Sequence, residues 1–357
     1  MIFSLGRKKY TAVDIGAYAI KVVTMQENKG KIKILSAEHT KLPPGIIEKG
    51  EIKDLSIISN KIENLFKKTN AASKNIITSI PSNQLITRNI ELPNLDNDEF
   101  DEALKWELND IVPYPIEETV YDYIETNRNE DSINILLVVA KDAIIDQYRK
   151  PFLNLGINPD VINIQPMALI SLLNYQNKLS APTSIVDLGH QGTRVILADE
   201  DRLHLTRTIS NGGIDFTENI IENQHLEYKE AEEYKKNNGI EHELNDQVES
   251  VESDISLLGI GGNLTNIARE ISEEISRSLE FYSIKNRGEN INNVYLTGGS
   301  VFLKGITDII DEEVGPSPEL IDPLAGFENS SFISKDKAHL YTIALGLGAS
   351  EVLHNEG

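Results

Sequence analysis

Two stretches place a carboxylate where it could meet an anion's counter-ion. Residues 10–25 read YTAVDIGAYAIKVVTM and residues 183–197 read TSIVDLGHQGTRVIL: an apolar run, Asp-x-Gly, a tight turn, then a second apolar run. The aspartates are Asp14 and Asp187, followed by Gly16 and by Gly189 and Gly192. Glycine at a strand tip lets backbone approach a ligand closely, and successive N–H groups in such a turn can hold an anion. A carboxylate beside polyphosphate is repelled unless a cation lies between, so two facing carboxylates predict a divalent metal held partly through water, as Mg²⁺ prefers. Taken singly, each is also an ordinary Asp-Gly turn that serves folding alone. A third stretch, NVYLTGGSVFLKG, runs an apolar strand into Gly298, Gly299 and Ser300 and then a helix start, a loop against which a ribose or flat ring can lie. Neither Gly-Lys-Ser/Thr at P-loop spacing nor G-x-G-x-x-G occurs, so phosphate binding falls to the hairpins.

The elements that position these groups alternate between strand and helix periods. Strands are expected at about 9–15, 19–26 and 31–41, then a helix N-capped by Asp54 with Leu55, Ile58, Ile62, Leu65 and Phe66 on one face. NIITSIP reads as a strand, 97–112 as a helix closed by PYP, SINILLVVAKD as a buried strand, and 143–155 as a helix. Strand DVINI, helix PMALISLLNY and the second hairpin follow. RLHLTRTIS is another strand, NGG at 211–213 turns into a helix, and AEEYKKNNG ends at Gly239. Residues 237–268 lack Lys and Arg and any firm period, and are expected to be a mobile, solvated insertion. Order resumes with a helix stepping through Ile267, Ile271, Ile275, Leu279 and Tyr282, then NVYLTGGS, one helix over 301–313 and a closing helix through YTIALGLGAS. The repeated hairpin half a chain apart points to two similar lobes within a mixed α/β chain.

Composition limits the partners. The chain has 357 residues, 40% of them hydrophobic, enough for two cores. With 34 basic against 56 acidic residues and a net charge of −22, nucleic acid or an anionic membrane is a poor main partner, and Arg7, Lys8 and Lys9 read as a solvated terminus. The absence of cysteine excludes disulfides and thiolate sites. No run reaches the ~18 apolar residues of a membrane span, and MIFSLGRKKY is too short for a signal peptide, so a cytosolic protein is expected.

The two hairpins, QPMAL before the second, NGGIDFT after it, AEEYKK, LTGGS and ALGLGAS resemble, in order and over nearly the whole chain, the phosphate-1, connect-1, phosphate-2, adenosine and connect-2 motifs of the actin/Hsp70-like ATPase superfamily. Within it, residues 87–123, TRNIELPNLDNDEFDEALKWELNDIVPYPIEETVYDY, are similar to the segment typical of the PilM family, cytoplasmic actin-like proteins of type IV pilus assembly and relatives of FtsA. FtsA carries a C-terminal amphipathic membrane helix; this sequence ends SEVLHNEG and direct membrane insertion is not expected.

The resemblance implies an α/β fold of two lobes, each on an RNase H-like mixed sheet, with an FtsA-type 1C subdomain. Its division would be 1–80 with 161–182 and 335–357 as subdomain 1A, 81–160 as 1C, 183–221 with 275–334 as 2A, and 222–274 as 2B. Asp14 and Asp187 would face Mg²⁺ and the phosphates of ATP; Gly16, Gly189 and Gly192 would supply close backbone; Lys21, seven residues after Asp14, would reach the phosphates, unless it is a plain solvated strand lysine. Thr193 would donate to a phosphate, and Gly298, Gly299 and Ser300 would cradle the adenosine. Glu232 and Lys235 would contact ribose or base, with an ordinary exposed helix face the other reading, while Gly212 and Gly213 would turn the backbone beside the nucleotide. Ala17 in place of a hydroxyl, Arg194 after Thr193 where Hsp70 keeps a carboxylate shortly afterwards, and Gln165 where relatives have Glu imply at most a slow ATPase. The implied role is an ATP-binding adaptor of the pilus inner-membrane platform, bound to the N-terminal cytoplasmic tail of a PilN-like bitopic protein, with other platform or motor proteins and self-association as further contacts. A nucleotide-free adaptor and a small-molecule kinase are the alternatives.

Overall fold

The run KYTAVDI is apolar almost throughout, as in a strand covered on both faces. In the structure, a computed structural model that describes residues 8–200, 202–240 and 255–356, this run lies at the centre of a sheet. Strands β1 (Lys9–Ile15), β2 (Ala19–Asn28) and β3 (Lys31–Lys41) form an antiparallel meander, followed by the ribbon β4 (Ile47–Glu48) and β5 (Glu51–Ile52). Helix α1 (Leu55–Thr69) starts where the Asp54 carboxylate accepts from the amides of Ser56 and Ile57 at 2.9 and 3.0 Å. Strand β6 (Ile76–Ile80) then runs parallel to β1.

An inserted unit follows. Strands β7 (Leu85–Pro93), β8 (Thr119–Arg128) and β9 (Ser132–Lys141) form a three-stranded sheet in the order β7-β9-β8, and α2 (Asn97–Ile111) lays Phe100, Leu104 and Leu108 on it. Helix α3 (Asp142–Leu153), inside the 81–160 segment of the sequence reading, instead buries Ile144, Tyr148 and Phe152 among Val13, Ile20, Ile62 and Leu65 of the first lobe. Strand β10 (Val161–Ile164) pairs parallel with β6 and completes the first sheet, β10-β6-β1-β2-β3.

After α4 (Gln165–Tyr175) the plan repeats. Strands β11 (Thr183–Leu188), β12 (Thr193–Ala198) and β13 (Leu203–Ile209) make a second antiparallel meander. Helices α5 (Gly213–Gln224), α6 (Tyr228–Asn238) and α7 (Ile255–Lys285) lead to β14 (Asn293–Thr297), α8 (Ile306–Glu313), β15 (Pro318–Leu320) and α9 (Thr342–Glu356). The second sheet, β13-β12-β11-β14-β15, has the order of the first: a meander, then two strands parallel to its opening strand. The expected duplication is therefore one of whole sheets.

Two expectations change. The helix read over 301–313 is a 3₁₀ turn, Gly299–Phe302, and a separate α8, because Gly305 at φ 84° breaks the chain between them. Of the insertion read over 237–268, residues 241–254 lie outside the described residues, while 255–268 belong to α7 and bury Leu264 and Ala268; glycines at 259, 261 and 262 hide the helical period there.

Between the sheets lie α4 and α9, whose Leu169, Leu172, Leu345 and Leu347 share one core with Tyr10 and Met25 of the first sheet and Ile185 and Ile196 of the second. The helices cross so closely that a Cβ on Gly346 would stand 2.0 Å from the Ala168 carbonyl oxygen.

Candidate functional site

Strands β1 and β11, one from each sheet, both end at a cleft of about 570 Å³ between the lobes, lined by both hairpin turns, the Gly298–Ser300 loop and α6. In the β1–β2 register Asp14 stands opposite Lys21, and in the β11–β12 register Asp187 stands opposite Arg194. Lys21 Nζ donates to Asp14 Oδ2 at 2.8 Å; Arg194 Nε donates to Asp187 Oδ2 at 2.9 Å, and Nη2 of the same guanidinium bonds the same oxygen. Both aspartates are 3% exposed, and burial without a cation would be costly. In each hairpin the cation head sits under the glycine two positions after the aspartate. A Cβ on Gly16 would lie 2.9 Å from Lys21 Nζ, and one on Gly189 3.5 Å from Arg194 Nη2. Lys21 is thus a buried partner of Asp14 and not a solvated strand lysine.

The repeat leaves an asymmetry. Asp14 Oδ1 is buried without a hydrogen-bond partner, and so is Oε1 of Gln165 at the first turn of α4; both residues line the cleft. Orphaned buried oxygens signal a missing donor or cation. Oxygen-only groups fit Mg²⁺, which keeps several waters and needs one or two carboxylates plus phosphate oxygens. No cluster of three or more metal-ligating side chains occurs among the described residues, so the protein alone does not build a closed metal cage. The fit to Mg²⁺ rests on the Oδ1 atoms: both aspartates are ion-paired through Oδ2 only, and the Oδ1 of Asp14 is buried without a partner.

The second hairpin turn is braced from within its lobe. The Gly213 and Ile214 amides at the start of α5 donate to the carbonyls of Gly189 and His190 at 2.9 and 2.7 Å, and Ser300 Oγ donates to the Gly189 carbonyl at 3.0 Å. The glycines here also serve close packing. Gly298, at φ 93°, would set a Cβ 2.4 Å from Asp187 Oδ1, and a Cβ on Gly213 would meet Ser300 Oγ at 2.5 Å. Gly192 and Gly299 also line the cleft. Thr193 differs from expectation: it is fully buried, donates to the Asn211 carbonyl at 2.9 Å and does not line the cleft.

Glu232 and Lys235 line the cleft at 6% and 9% exposure, which removes the exposed-face reading. Their polar groups are engaged internally. Lys235 Nζ donates to the Gly213 carbonyl at 2.7 Å, to Thr217 Oγ1 at 2.6 Å and to Glu232, tying α6 to α5. Burial pushes Glu232 toward a higher pKa, but the Lys235 charge and hydrogen bond, with the Thr217 hydroxyl, hold it down at about 2. Burial drives Lys235 down from its ordinary value against the pull of Glu232.

Several residues escaped the sequence reading. Tyr18 and Gln191 each stand four positions after a hairpin aspartate, and each reaches the opposite lobe. Gln191 Nε2 donates to the Ile47 carbonyl at 2.6 Å while its Oε1 accepts from the Lys49 amide at 3.1 Å. Tyr18 Oη accepts from Lys236 at 2.9 Å, and its ring packs 5.3 Å from that of His190. Burial raises the Tyr18 pKa, but hydrogen bonds from Lys236 and Lys41 more than offset it and the net direction is down. Burial, helped by Lys235, lowers His190 to about 4, so the imidazole is neutral at pH 7. Phe302, exposed at the cleft, meets His339 edge-on at 5.2 Å and offers an apolar face beside Gly299. The equal spacing of the two Asp-cation pairs was the available signal for Arg194; Tyr18 and Gln191 gave none, since their partners are distant in sequence.

Six cations line the cleft, Lys21, Lys41, Arg194, Lys235, Lys236 and Lys337, against Asp14, Asp187, Glu232 and Asp336, in a chain of net charge −22. The walls thus suit an anion larger and more highly charged than a carboxylate.

Known proteins resemble the chain along nearly its whole length. The solved PilM-PilN type IV pilus biogenesis complex matches with a TM-score of 0.82 and 21% identity over 98% of this chain and 99% of that chain. MreB5 of Spiroplasma citri bound to AMPPNP matches with a TM-score of 0.54 and 13% identity over 98% and 97%. The cell division protein FtsA of Enterococcus hirae is 22% identical over 348 residues, 88% of this chain and 78% of that protein. These likenesses agree with the duplicated sheets in giving an actin-like ATPase fold. The family description "Type IV pilus assembly protein PilM" matches residues 12–351, and the chain belongs to that family.

Proposed function

We propose that this protein is an ATP-binding adaptor of the type IV pilus inner-membrane assembly platform, with the nucleotide in the interlobe cleft. The observation that carries the nucleotide is the pair of hairpins, each with an aspartate-cation couple under a bare glycine, beside an orphaned Asp14 Oδ1. In this reading Lys21 and Arg194 neutralise phosphate charge, the turns at Gly16 and Gly189 give backbone access, and the Gly298–Ser300 loop with Phe302 receives the nucleoside. A bound Mg²⁺ would supply charge neutralisation between phosphate oxygens and Asp14, with Asp187 a secondary neighbour through its cleft-facing position. Hydrolysis is slow or absent. Gln165 accepts no proton, Ala17 lacks a hydroxyl, and both hairpin aspartates are engaged in ion pairs, so neither is free to act as general base.

Tyr18 and Gln191 make ligand occupancy consequential. Both hairpins that would hold phosphate also carry the contacts that join the lobes, so a ligand favouring this closed arrangement shifts the closure equilibrium by its differential affinity. The partner reading it is the N-terminal cytoplasmic tail of a PilN-like bitopic membrane protein, a reading supported by the likeness to the PilM-PilN complex. No described helix is long and apolar enough to cross a membrane, so recruitment to the inner membrane would run through that partner. Titrating a synthetic peptide of the partner's tail with and without ATP·Mg²⁺ tests the coupling: ATP should tighten peptide binding, and equal affinities would refute it.

One observation favours a second reading, a nucleotide-free adaptor. Asp187 is already paired with Arg194, and Ser300 Oγ and the first α5 amides already donate to the Gly189 and His190 carbonyls. In that case peptide binding persists while ATP binding is absent.

A further inference from the structure

The two hairpins are chemically matched but not identical, and the difference bears on how the cleft treats a metal. At the position seven residues after the aspartate the first hairpin has Lys21 and the second Arg194, each cross-strand from its carboxylate. A lysine head is a point charge with three donors, one of which bonds Asp14 Oδ2. The guanidinium has five donors in a rigid fork. Nε–H and one Nη2–H are spent on Asp187 Oδ2, which leaves three N–H groups on a side chain that lines the cleft and is 19% exposed. Its Nη2 lies under the bare face of Gly189, where the second hairpin would meet a phosphate. Both Arg194 bonds go to Asp187 Oδ2 and the Lys21 bond to Asp14 Oδ2, so each carboxylate keeps its Oδ1 outside the ion pair, with that of Asp14 buried.

We propose that Arg194 is a permanent cation of the phosphate site, holding polyphosphate directly and taking over the charge neutralisation that a divalent metal would otherwise provide on the Asp187 side. The inference rests on the nucleotide reading of the cleft and deepens it. With that cation in place, nucleotide affinity is only partly dependent on Mg²⁺. Arginine suits the role because its planar fork binds carboxylate and phosphate oxygens together and never loses its charge.

The test is equilibrium binding of ATP to the full chain, in Mg²⁺ and in EDTA, for the wild type, Arg194→Gln and Arg194→Lys. The wild type should keep binding in EDTA, with a loss of no more than about tenfold, and Arg194→Gln should lose a further tenfold or more in EDTA while Mg²⁺ restores much of it, roughly the worth of a charge-assisted hydrogen bond. Arg194→Lys should fall between them. ATP binding by the wild type that vanishes in EDTA, or a folded Arg194→Gln with an unchanged EDTA-to-Mg²⁺ ratio, overturns the proposal and leaves the nucleotide reading standing. Binding in neither buffer overturns both. Because Arg194→Gln strands a buried carboxylate and risks misfolding, its folding is checked by circular dichroism; should it unfold, the wild-type EDTA measurement and the lysine variant decide.

Discussion

At the scale of single residues, the cleft is a set of buried charges that neutralise one another in pairs. Asp14 and Asp187 were legible from Asp-x-Gly after an apolar run, and Lys21 from the resemblance to the superfamily's first hairpin. The partners of Asp187 and Gln191 were not, because a cross-strand register and an interlobe contact leave no local pattern. His190 gives a prediction. Burial and the nearby Lys235 lower its pKa from an ordinary 6.5 to about 4, while Glu232 pulls the other way. The unfolded chain therefore binds a proton that the folded one refuses, and stability is full above pH 6.5 and falls as the pH drops from 6.5 toward 4. Denaturant midpoints measured across this window should show the fall, and His190→Gln should flatten it; an unchanged slope would mean that other groups govern it.

At the scale of elements, the strongly periodic ones were read well. The first three strands, α1 with its Asp54 cap and the second hairpin lie where the residue pattern put them. Strands β7 and β8 were missed because most of their residues are exposed or half-buried on both faces, which erases the two-residue alternation, whereas the buried β9 between them was found. Helices α4 and α9 carry the connection between lobes, and their crossing at Gly346 predicts an intolerance. Alanine in a helix is favoured over glycine by about 1 kcal/mol, but a Cβ 2.0 Å from the Ala168 carbonyl oxygen cannot fit without moving one helix. Overpacking of this kind costs roughly 1–3 kcal/mol. Gly346→Ala should lower the denaturation midpoint, and a gain in stability would show that the crossing yields easily.

At the scale of the whole molecule, two copies of one sheet plan face each other across a cleft whose walls are basic in an acidic chain. The duplication and the fold were visible in the sequence because paired motifs recur in order. The way the copies engage was not, since Tyr18 and Gln191 act on residues of the opposite lobe. The central claim is that this cleft binds ATP·Mg²⁺ through the first hairpin's Asp14 and Lys21. Thermal and chemical unfolding of the wild type, Asp14→Ala and Lys21→Ala with and without ATP·Mg²⁺ tests it most directly. At about 100 times the dissociation constant, ligand should stabilise the wild type by about 2.7 kcal/mol, and both variants, destabilised without ligand because each strands one partner of a buried pair, should lose most of that gain. A wild type that ATP·Mg²⁺ does not stabilise, or variants that keep the full gain, would contradict the account.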